Sequence, residues 1–114
     1  MPLLNLETNQ PIPQHRLSAL LAEASALVAR QLGKPEAYVM VKLGHNPAMW
    51  FAGSGEPLAF LQLKSIGLPE SATADLSAAL CEFMEQALEV PRDRVYIEFV
   101  DAPRKMWGYN GTTF

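Results

Sequence analysis

Two halves of this 114-residue sequence carry the same residue pattern, offset by 56 positions. At that offset Pro35 aligns with Pro91 and Val39 with Val95, and each pair follows an apolar stretch of similar length. The halves agree in pattern more than in identity, so their descent from one duplicated unit is a hypothesis. A repeat of this kind predicts a chain built from two copies of one supersecondary unit.

Each half contains one stretch with the periodicity of an amphipathic helix. Apolar residues recur three and four positions apart between residues 17 and 32, and again between residues 76 and 88. A proline follows each run within three residues, which is a helix stop signal. Ser71 and Thr73 precede the second run and are candidate N-caps. The sequence therefore predicts one helix in each half.

Strand-like segments flank both predicted helices. Each is rich in branched and aromatic residues, which favour β structure. The turn-rich connection between the halves leaves room for a short strand at Met49–Ala52, and Asn110-Gly111 indicates a tight turn near the end. The four main segments are Leu3–Thr8, Tyr38–Gly44, Leu58–Ile66 and Val95–Asp101.

The order of these segments predicts an α/β fold of two strand-helix-strand units. The four strands would form one sheet, and both helices would lie on the same face because parallel crossovers are right-handed. We treat residues 1–114 as a single domain, with the internal repeats at about 2–45 and 58–101.

The two faces of the predicted sheet differ in composition. One alternate set of strand residues is apolar and suits the face that packs against the helices. The other set combines Met40, Phe60 and Val100 with charged side chains, and a face in bulk water would not need those apolar residues. The charged members are Glu7, Lys42, Lys64 and Glu98. We therefore expect this face to form a subunit interface, which predicts an oligomer.

Charge and hydropathy exclude several classes of partner. The formal net charge of -3 lacks the basic excess that phosphate backbones require, so we expect no nucleic acid. No apolar run approaches the ~20 residues of a membrane span, so we expect no membrane partner. The first residues also lack the features of a secretory signal. We therefore expect a cytoplasmic protein, with secretion that needs no signal peptide left open.

Most reactive residue types show no site pattern. His15 and His45 have no ligand-type residues at metal-binding spacing. Cys81, the only cysteine, stands among apolar helix residues and is expected to pack in the core. No serine lies in a nucleophile elbow. The sequence therefore predicts neither a metal site nor a cofactor.

Two residues remain as chemical candidates, and each also has an ordinary structural explanation. The Pro2 nitrogen becomes a basic secondary amine once Met1 is removed, and burial or a nearby cation would lower its pKa towards neutrality. A proline at this position also suits the start of an edge strand. Lys34 follows the first predicted helix, where a cation stabilises the helix C-terminus without any further role. Taken alone, these residues leave both explanations open.

Five short motifs follow one another in order along the chain. They are Met1-Pro2, Gly33-Lys34-Pro35 with Tyr38-Val39, Ser65-Ile66-Gly67, Asp93-Arg94-Val95-Tyr96-Ile97 and Asn110-Gly111-Thr112-Thr113-Phe114. Together they resemble the macrophage migration inhibitory factor family, which includes D-dopachrome tautomerase. The resemblance extends over essentially the whole chain, with one small gap before the second helix.

This resemblance implies a homotrimer with active sites between subunits. Pro2 would be the catalytic base that moves a proton between carbon and oxygen of an α-keto acid. Lys34 would bind the substrate carboxylate with help from the backbone N–H of Ile66, and Tyr96 of a neighbouring subunit would line the pocket. The apolar walls would be Leu3, Tyr38, Trp107, Tyr109 and Phe114. Such walls favour an aromatic substrate such as phenylpyruvate, so the resemblance implies a keto–enol tautomerase.

Three departures from the family pattern bear on this function. The paired cysteines of the family are replaced by Leu58-Ala59-Phe60-Leu61, so we expect no thiol oxidoreductase activity. Glu98 replaces an Asn that contacts substrate in vertebrate members, and its charge makes it only a secondary candidate for substrate binding. Lys64 replaces a His and would either offset Glu98 or tighten carboxylate binding if the two side chains converge.

The resemblance also allows a function of another class. The chain would then be a cytokine-like signalling or host-directed binding protein with a receptor as its partner. Its active site would be weak or vestigial. Receptor binding that survives the loss of Pro2 chemistry would distinguish this alternative from an enzyme.

Overall fold

The computed structural model describes residues 1–114 and has the predicted α/β fold. Four strands form one sheet in the order β2-β1-β3-β4, and two short strands form a separate hairpin at the end of the chain. The elements are β1 (Pro2–Thr8), α1 (Leu17–Leu32), β2 (Met40–His45), β3 (Ala59–Ile66), α2 (Thr73–Leu88), β4 (Val95–Ala102), β5 (Gly108–Tyr109) and β6 (Thr112–Thr113). The predicted sheet of two strand-helix-strand units is confirmed.

The register of the sheet decides which ends of the strands meet. β1 and β3 pair antiparallel in the centre, with Pro2 opposite Ser65 and Thr8 opposite Ala59. β2 runs parallel to β1, and β4 runs parallel to β3. The start of β1 therefore lies at the same end of the sheet as the ends of β3 and β4.

Both helices pack on one face of the sheet, as predicted. Residues of both helices and of alternate strand positions join one buried cluster, in which Leu4, Leu61 and Leu63 are fully buried. Cys81 belongs to this cluster, which confirms its expected packing role. The opposite face has no helix, and Met40 and Tyr96 on it are 61% and 66% exposed. None of the helices is long and apolar enough to cross a membrane.

The helices and turns of the two units recur at the offset seen in the sequence. A shift of 56 positions carries α1, residues 17–32, onto α2, residues 73–88. The same shift carries the 3-10 turn Glu36–Tyr38 onto the turn Arg92–Arg94. Because β1 and β3 are antiparallel neighbours, the two units are related by an approximate two-fold axis through the centre of the sheet.

Three local predictions were wrong. Neither Ser71 nor Thr73 caps α2, because the Thr73 hydroxyl instead donates to the carbonyl oxygen of Glu70 in the preceding 3-10 turn. Tyr38 lies in a turn and not in β2, since its N–H donates to the carbonyl oxygen of Pro35. Met49–Ala52 forms no strand, and only an isolated bridge joins Phe51 to Ser54.

The ends of the two helices differ in one residue that affects stability. Gly33 ends α1 with φ 64°, and Glu89 adopts the same left-handed conformation after α2 with φ 55°. A side chain with a Cβ costs roughly 1–2 kcal/mol in this region. We expect Glu89→Gly to raise the free energy of unfolding by about 0.5–1 kcal/mol. This gain is smaller than the relieved strain, because the greater freedom of glycine in the unfolded chain offsets part of it.

Urea unfolding measures this difference, with Glu89→Ala as the matched control. The alanine variant loses the same charge but keeps the Cβ. A Glu89→Gly protein that is no more stable than Glu89→Ala would show that the backbone conformation at this position carries no cost.

Candidate active site

A cleft of about 230 Å³ opens at the end of the sheet where β1 begins. Ten residues line it, and eight of them are hydrophobic. They come from the start of β1, from the turn that leads into β2, and from the C-terminal hairpin: Met1, Pro2, Leu3, Ala37, Tyr38, Val39, Met40, Trp107, Gly108 and Tyr109. The volume and the apolar lining suit a small aromatic molecule.

Aromatic packing holds the C-terminal hairpin against this cleft. Tyr38 meets Tyr109 edge-on at 5.6 Å between ring centroids and Phe114 at 5.9 Å. Tyr109 and Phe114 stack at 5.0 Å. Asn110 and Gly111 both have positive φ, which forms the predicted tight turn between β5 and β6. Four of the five predicted wall residues line the cleft, while Phe114 packs against two of them, Tyr38 and Tyr109.

The structure brings Lys34 and Ile66 together next to the cleft. Lys34 follows the left-handed Gly33, and its own N–H donates to the carbonyl oxygen of Ala29 at the helix end. Its Nζ donates to the carbonyl oxygen of Ile66, the last residue of β3, at 2.6 Å. An ammonium group bound by one carbonyl keeps two further donors, which are available to a carboxylate.

A neighbouring carboxylate fixes the backbone that follows Ile66. Asp101 Oδ1, near the end of β4, accepts hydrogen bonds from the N–H groups of Gly67 at 2.9 Å and Leu68 at 3.1 Å. Gly67 has φ 74°, a conformation that suits glycine. The chain therefore turns sharply after Ile66, and this turn sets the position of the carbonyl oxygen that holds Lys34.

The electrostatics at the start of the chain favour a neutral amine. Burial lowers the pKa of the N-terminal amine, and the positive charges of Lys34 and Arg104 lower it further. Each effect disfavours the protonated form. In the chain with Met1 this amine belongs to Met1, and the nitrogen of Pro2 is part of a peptide bond. Removal of Met1 would make the nitrogen of Pro2 the N-terminal amine, and Pro2 is a buried residue.

Tyr96 lies at the far end of the same sheet. It pairs with Phe60 on β3, whereas Pro2 pairs with Ser65, and the five-residue separation along β3 corresponds to about 16 Å. The Tyr96 ring packs on Phe51 at 4.6 Å between centroids. Tyr96 therefore cannot reach the cleft of its own chain, and it could contribute to a cleft only from a second copy.

Glu98 is also remote from the cleft and takes part in a polar row across the open sheet face. Asn5 Nδ2 donates to Gln62 Oε1 at 3.1 Å, and Gln62 Nε2 donates to Glu98 Oε1 at 2.8 Å. The side chains of Lys64 and Glu98 form no ion pair within the chain, whose one salt bridge joins Arg92 to Glu85. The partner of Glu98 is Gln62 and not Lys64.

Comparison with known proteins identifies the family of this chain. The sequence model of the family described as macrophage migration inhibitory factor (MIF) matches residues 1–114. The chain belongs to the MIF family. A MIF homolog from Brugia malayi is 41% identical over 116 residues, which cover 100% of this chain and 99% of the relative.

Solved MIF structures share the fold described above. The MIF homologue from Prochlorococcus marinus has a TM-score of 0.92 at 42% identity, and the match covers 98% of each chain. The MIF of Trichinella spiralis has a TM-score of 0.89 at 38% identity, covering 98% of this chain and 99% of that one. The α/β architecture of this MIF family member is therefore shown both by its own strands and by its relatives.

The sequence alone does not identify two residues near the cleft of this MIF family member. In the sequence Asp101 only ends a predicted strand, and nothing in its neighbours signals the two backbone hydrogen bonds that it accepts. The sequence does not indicate Arg104, because its effect on the amine requires the fold to bring the two ends of the chain near each other. The only sequence feature that could have indicated Arg104 is the basic pair Arg104-Lys105 shortly before the apolar Trp107.

Proposed function

We propose that this MIF family member is a keto–enol tautomerase of aromatic α-keto acids such as phenylpyruvate, with the Pro2 amine as its general base. The observation that carries the proposal is the lowered pKa of an N-terminal amine beside an apolar cleft and a lysine. A base must be neutral before it accepts a proton, and an amine with a lowered pKa is neutral at physiological pH more often than a free one.

The proton moves between two atoms of the substrate through the Pro2 nitrogen. In the keto-to-enol direction, the neutral amine accepts the proton from the carbon next to the carbonyl, and the electrons of that C–H bond form the enol double bond. The ammonium form of Pro2 then returns a proton to the carbonyl oxygen. The enzyme ends in its starting protonation state, and the reverse direction follows the same steps backwards.

Lys34 supports this proton transfer in two ways. Its Nζ, held by the Ile66 carbonyl oxygen, would bind the substrate carboxylate by a charged hydrogen bond. Its charge, after burial the largest cause, also lowers the pKa of the nearby N-terminal amine. The aromatic ring of the substrate would lie against Tyr38, Trp107 and Tyr109. The predicted aid from the backbone N–H of Ile66 remains part of the proposal.

A homotrimer completes the proposed site. Tyr96 and Pro2 lie at opposite ends of the sheet, so head-to-tail association would place Tyr96 of one copy beside the cleft of the next. The exposed Met40 and Tyr96 lie on the open face that such an interface would cover. A heterologous contact of this kind closes into a ring when the rotation between subunits is suitable.

Turnover of phenylpyruvate by the Met1-free protein tests the proposed function. We expect the ultraviolet absorbance of the enol to decay faster with the protein than in buffer, in proportion to protein concentration. Intact mass spectrometry of the same sample establishes that Met1 is absent. A Met1-free protein that does not accelerate the decay contradicts the proposal.

A cytokine-like binding function is the second candidate, and the names of the relatives favour it. Such a protein would bind a receptor through surfaces that do not require the Pro2 amine. Receptor binding that is equal for Met1-free and Met1-retaining protein, together with no turnover of keto acids, would favour this function. We propose a cytoplasmic location for the enzyme, and the signalling alternative would require export.

A further inference from the structure

Arg104 stands beside the cleft wall on a short turn. It begins the 3-10 turn Arg104–Met106, and its carbonyl oxygen accepts a hydrogen bond from the N–H of Trp107 at 3.3 Å. Trp107 is the first hairpin residue that lines the cleft. The turn therefore places Arg104 one turn before the aromatic wall, although Arg104 itself is not among the residues that line the cleft.

The guanidinium group of Arg104 has no partner within the chain. Arg16 donates to the carbonyl oxygen of Ala87, Arg92 binds Glu85, and Arg94 donates to four backbone carbonyl oxygens of residues 51–57. Arg104 makes no side-chain hydrogen bond and no salt bridge, and it is exposed. An arginine without an internal partner keeps its full set of donors for a ligand.

Two cations from different elements thus flank the start of the chain. Lys34 comes from the end of α1 and is held at Ile66, while Arg104 comes from the turn before the C-terminal hairpin. Both are close enough to act on the N-terminal amine. The residues Trp107, Gly108 and Tyr109, which line the cleft, follow Arg104 closely along the chain. A ligand that contacts both cations and the apolar cleft would carry two acidic groups joined by an apolar part.

We propose that Arg104 determines specificity by binding a second carboxylate at the far end of an aromatic α-keto acid. The inference rests on the proposed function for the role of Lys34, which would take the first carboxylate. The planar fork of arginine suits a carboxylate, because it donates two parallel hydrogen bonds. A chain with a net charge of -3 would otherwise repel a dianion, so two adjacent cations matter for its capture.

Binding of two acids that cannot tautomerise tests this assignment without relying on catalysis. Calorimetry with Met1-free protein would compare cinnamate with 4-carboxycinnamate, which differ by one distal carboxylate. We expect the dianion to bind about tenfold more tightly, as one additional charged hydrogen-bonded contact would give. Arg104→Gln is expected to abolish this preference while its affinity for cinnamate changes less than about twofold.

Lys105→Gln is the matched control, because Lys105 is exposed on the same turn and is not among the charges that act on the amine. This variant should keep the preference for the dianion. The proposal is wrong if the unmodified protein binds both acids equally or binds neither. It is also wrong if Arg104→Gln weakens the binding of both acids alike. It is wrong as well if Lys105→Gln removes the preference for the dianion as fully as Arg104→Gln does. Failure to turn over phenylpyruvate, with the preference intact, rejects the proposed enzyme function alone.

Discussion

Replacing Pro2 by glycine in the Met1-free protein is expected to lower kcat/KM for phenylpyruvate by about 100-fold, a typical share for a general base. Glycine leaves an amine at the N-terminus but removes the ring that is buried at the start of β1. The nitrogen then loses its fixed position relative to Lys34 and the cleft. A mobile amine spends little time within hydrogen-bond distance of the substrate carbon.

Two matched proteins separate this effect from general damage to the fold. Pro11→Gly makes the same exchange at an exposed residue outside the cleft and should keep full activity. A protein that retains Met1 keeps the proline ring but holds its nitrogen in an amide, and it should be at least as impaired as Pro2→Gly. Equal turnover by Pro2→Gly and unmodified protein would reject Pro2 as the base.

Lys34→Gln is expected to produce the second large loss, of about 100-fold in kcat/KM, through two separate effects. Glutamine cannot supply the charged hydrogen bond to a substrate carboxylate, so KM should rise. Loss of the positive charge also raises the pKa of the neighbouring amine, because Lys34 is one of the causes that lower it. Activity that depends on a neutral amine falls as pH falls through that pKa, so the acid limb of the pH–rate profile should move to higher pH.

Arg30→Gln is the control that tests whether Lys34 only stabilises the C-terminus of α1. Arg30 lies in the last turn of α1, where it interacts with the same helix terminus but is not among the charges that act on the amine. If Lys34 only stabilises the helix end, both variants should lose similar stability and neither should lose activity. An unchanged pH profile in Lys34→Gln would contradict the tuning role.

The sequence repeat predicted most of the fold, but it could not show that only one end of the sheet carries the candidate site. At the offset of 56 positions, Lys34 corresponds to Val90, which is fully buried, and Pro2 corresponds to Leu58. The second unit therefore has neither a cation at the position that corresponds to Lys34 nor a terminal amine at the position that corresponds to Pro2. The proposed base Pro2 and its neighbour Lys34 come from the first unit, and the second unit supplies the Ile66 carbonyl oxygen that holds Lys34.

The polar contacts that the sequence could not settle depend on competition between nearby hydrogen-bond partners. Threonine is a residue type that caps helices, but the Thr73 hydroxyl donates to the carbonyl oxygen of Glu70 instead. Lys64 and Glu98 have opposite charges and lie on the same sheet face, yet Gln62 is directly opposite Glu98 and binds it. Composition reveals such groups but cannot rank two partners that lie two residues apart on the same face of a strand.

The residues of the candidate site differ in how far the sequence could have found them. Pro2 and Lys34 had ordinary structural explanations, and only the family resemblance joined them to Ile66. The Lys34–Ile66 hydrogen bond then follows from where α1 and β3 end in the fold. Arg104 required the three-dimensional structure, since 103 positions separate it from the first residue.

Titration of the Pro2 nitrogen in Met1-free protein, followed by nitrogen-15 NMR, tests the central claim most directly. The claim requires the amine to lose its proton at a lower pH than the ~7.7–8.0 of a free terminal amine. It also requires Lys34→Gln to move that titration to higher pH. A Pro2 amine that titrates at or above the ordinary range, and is unaffected by the loss of Lys34, would contradict the account.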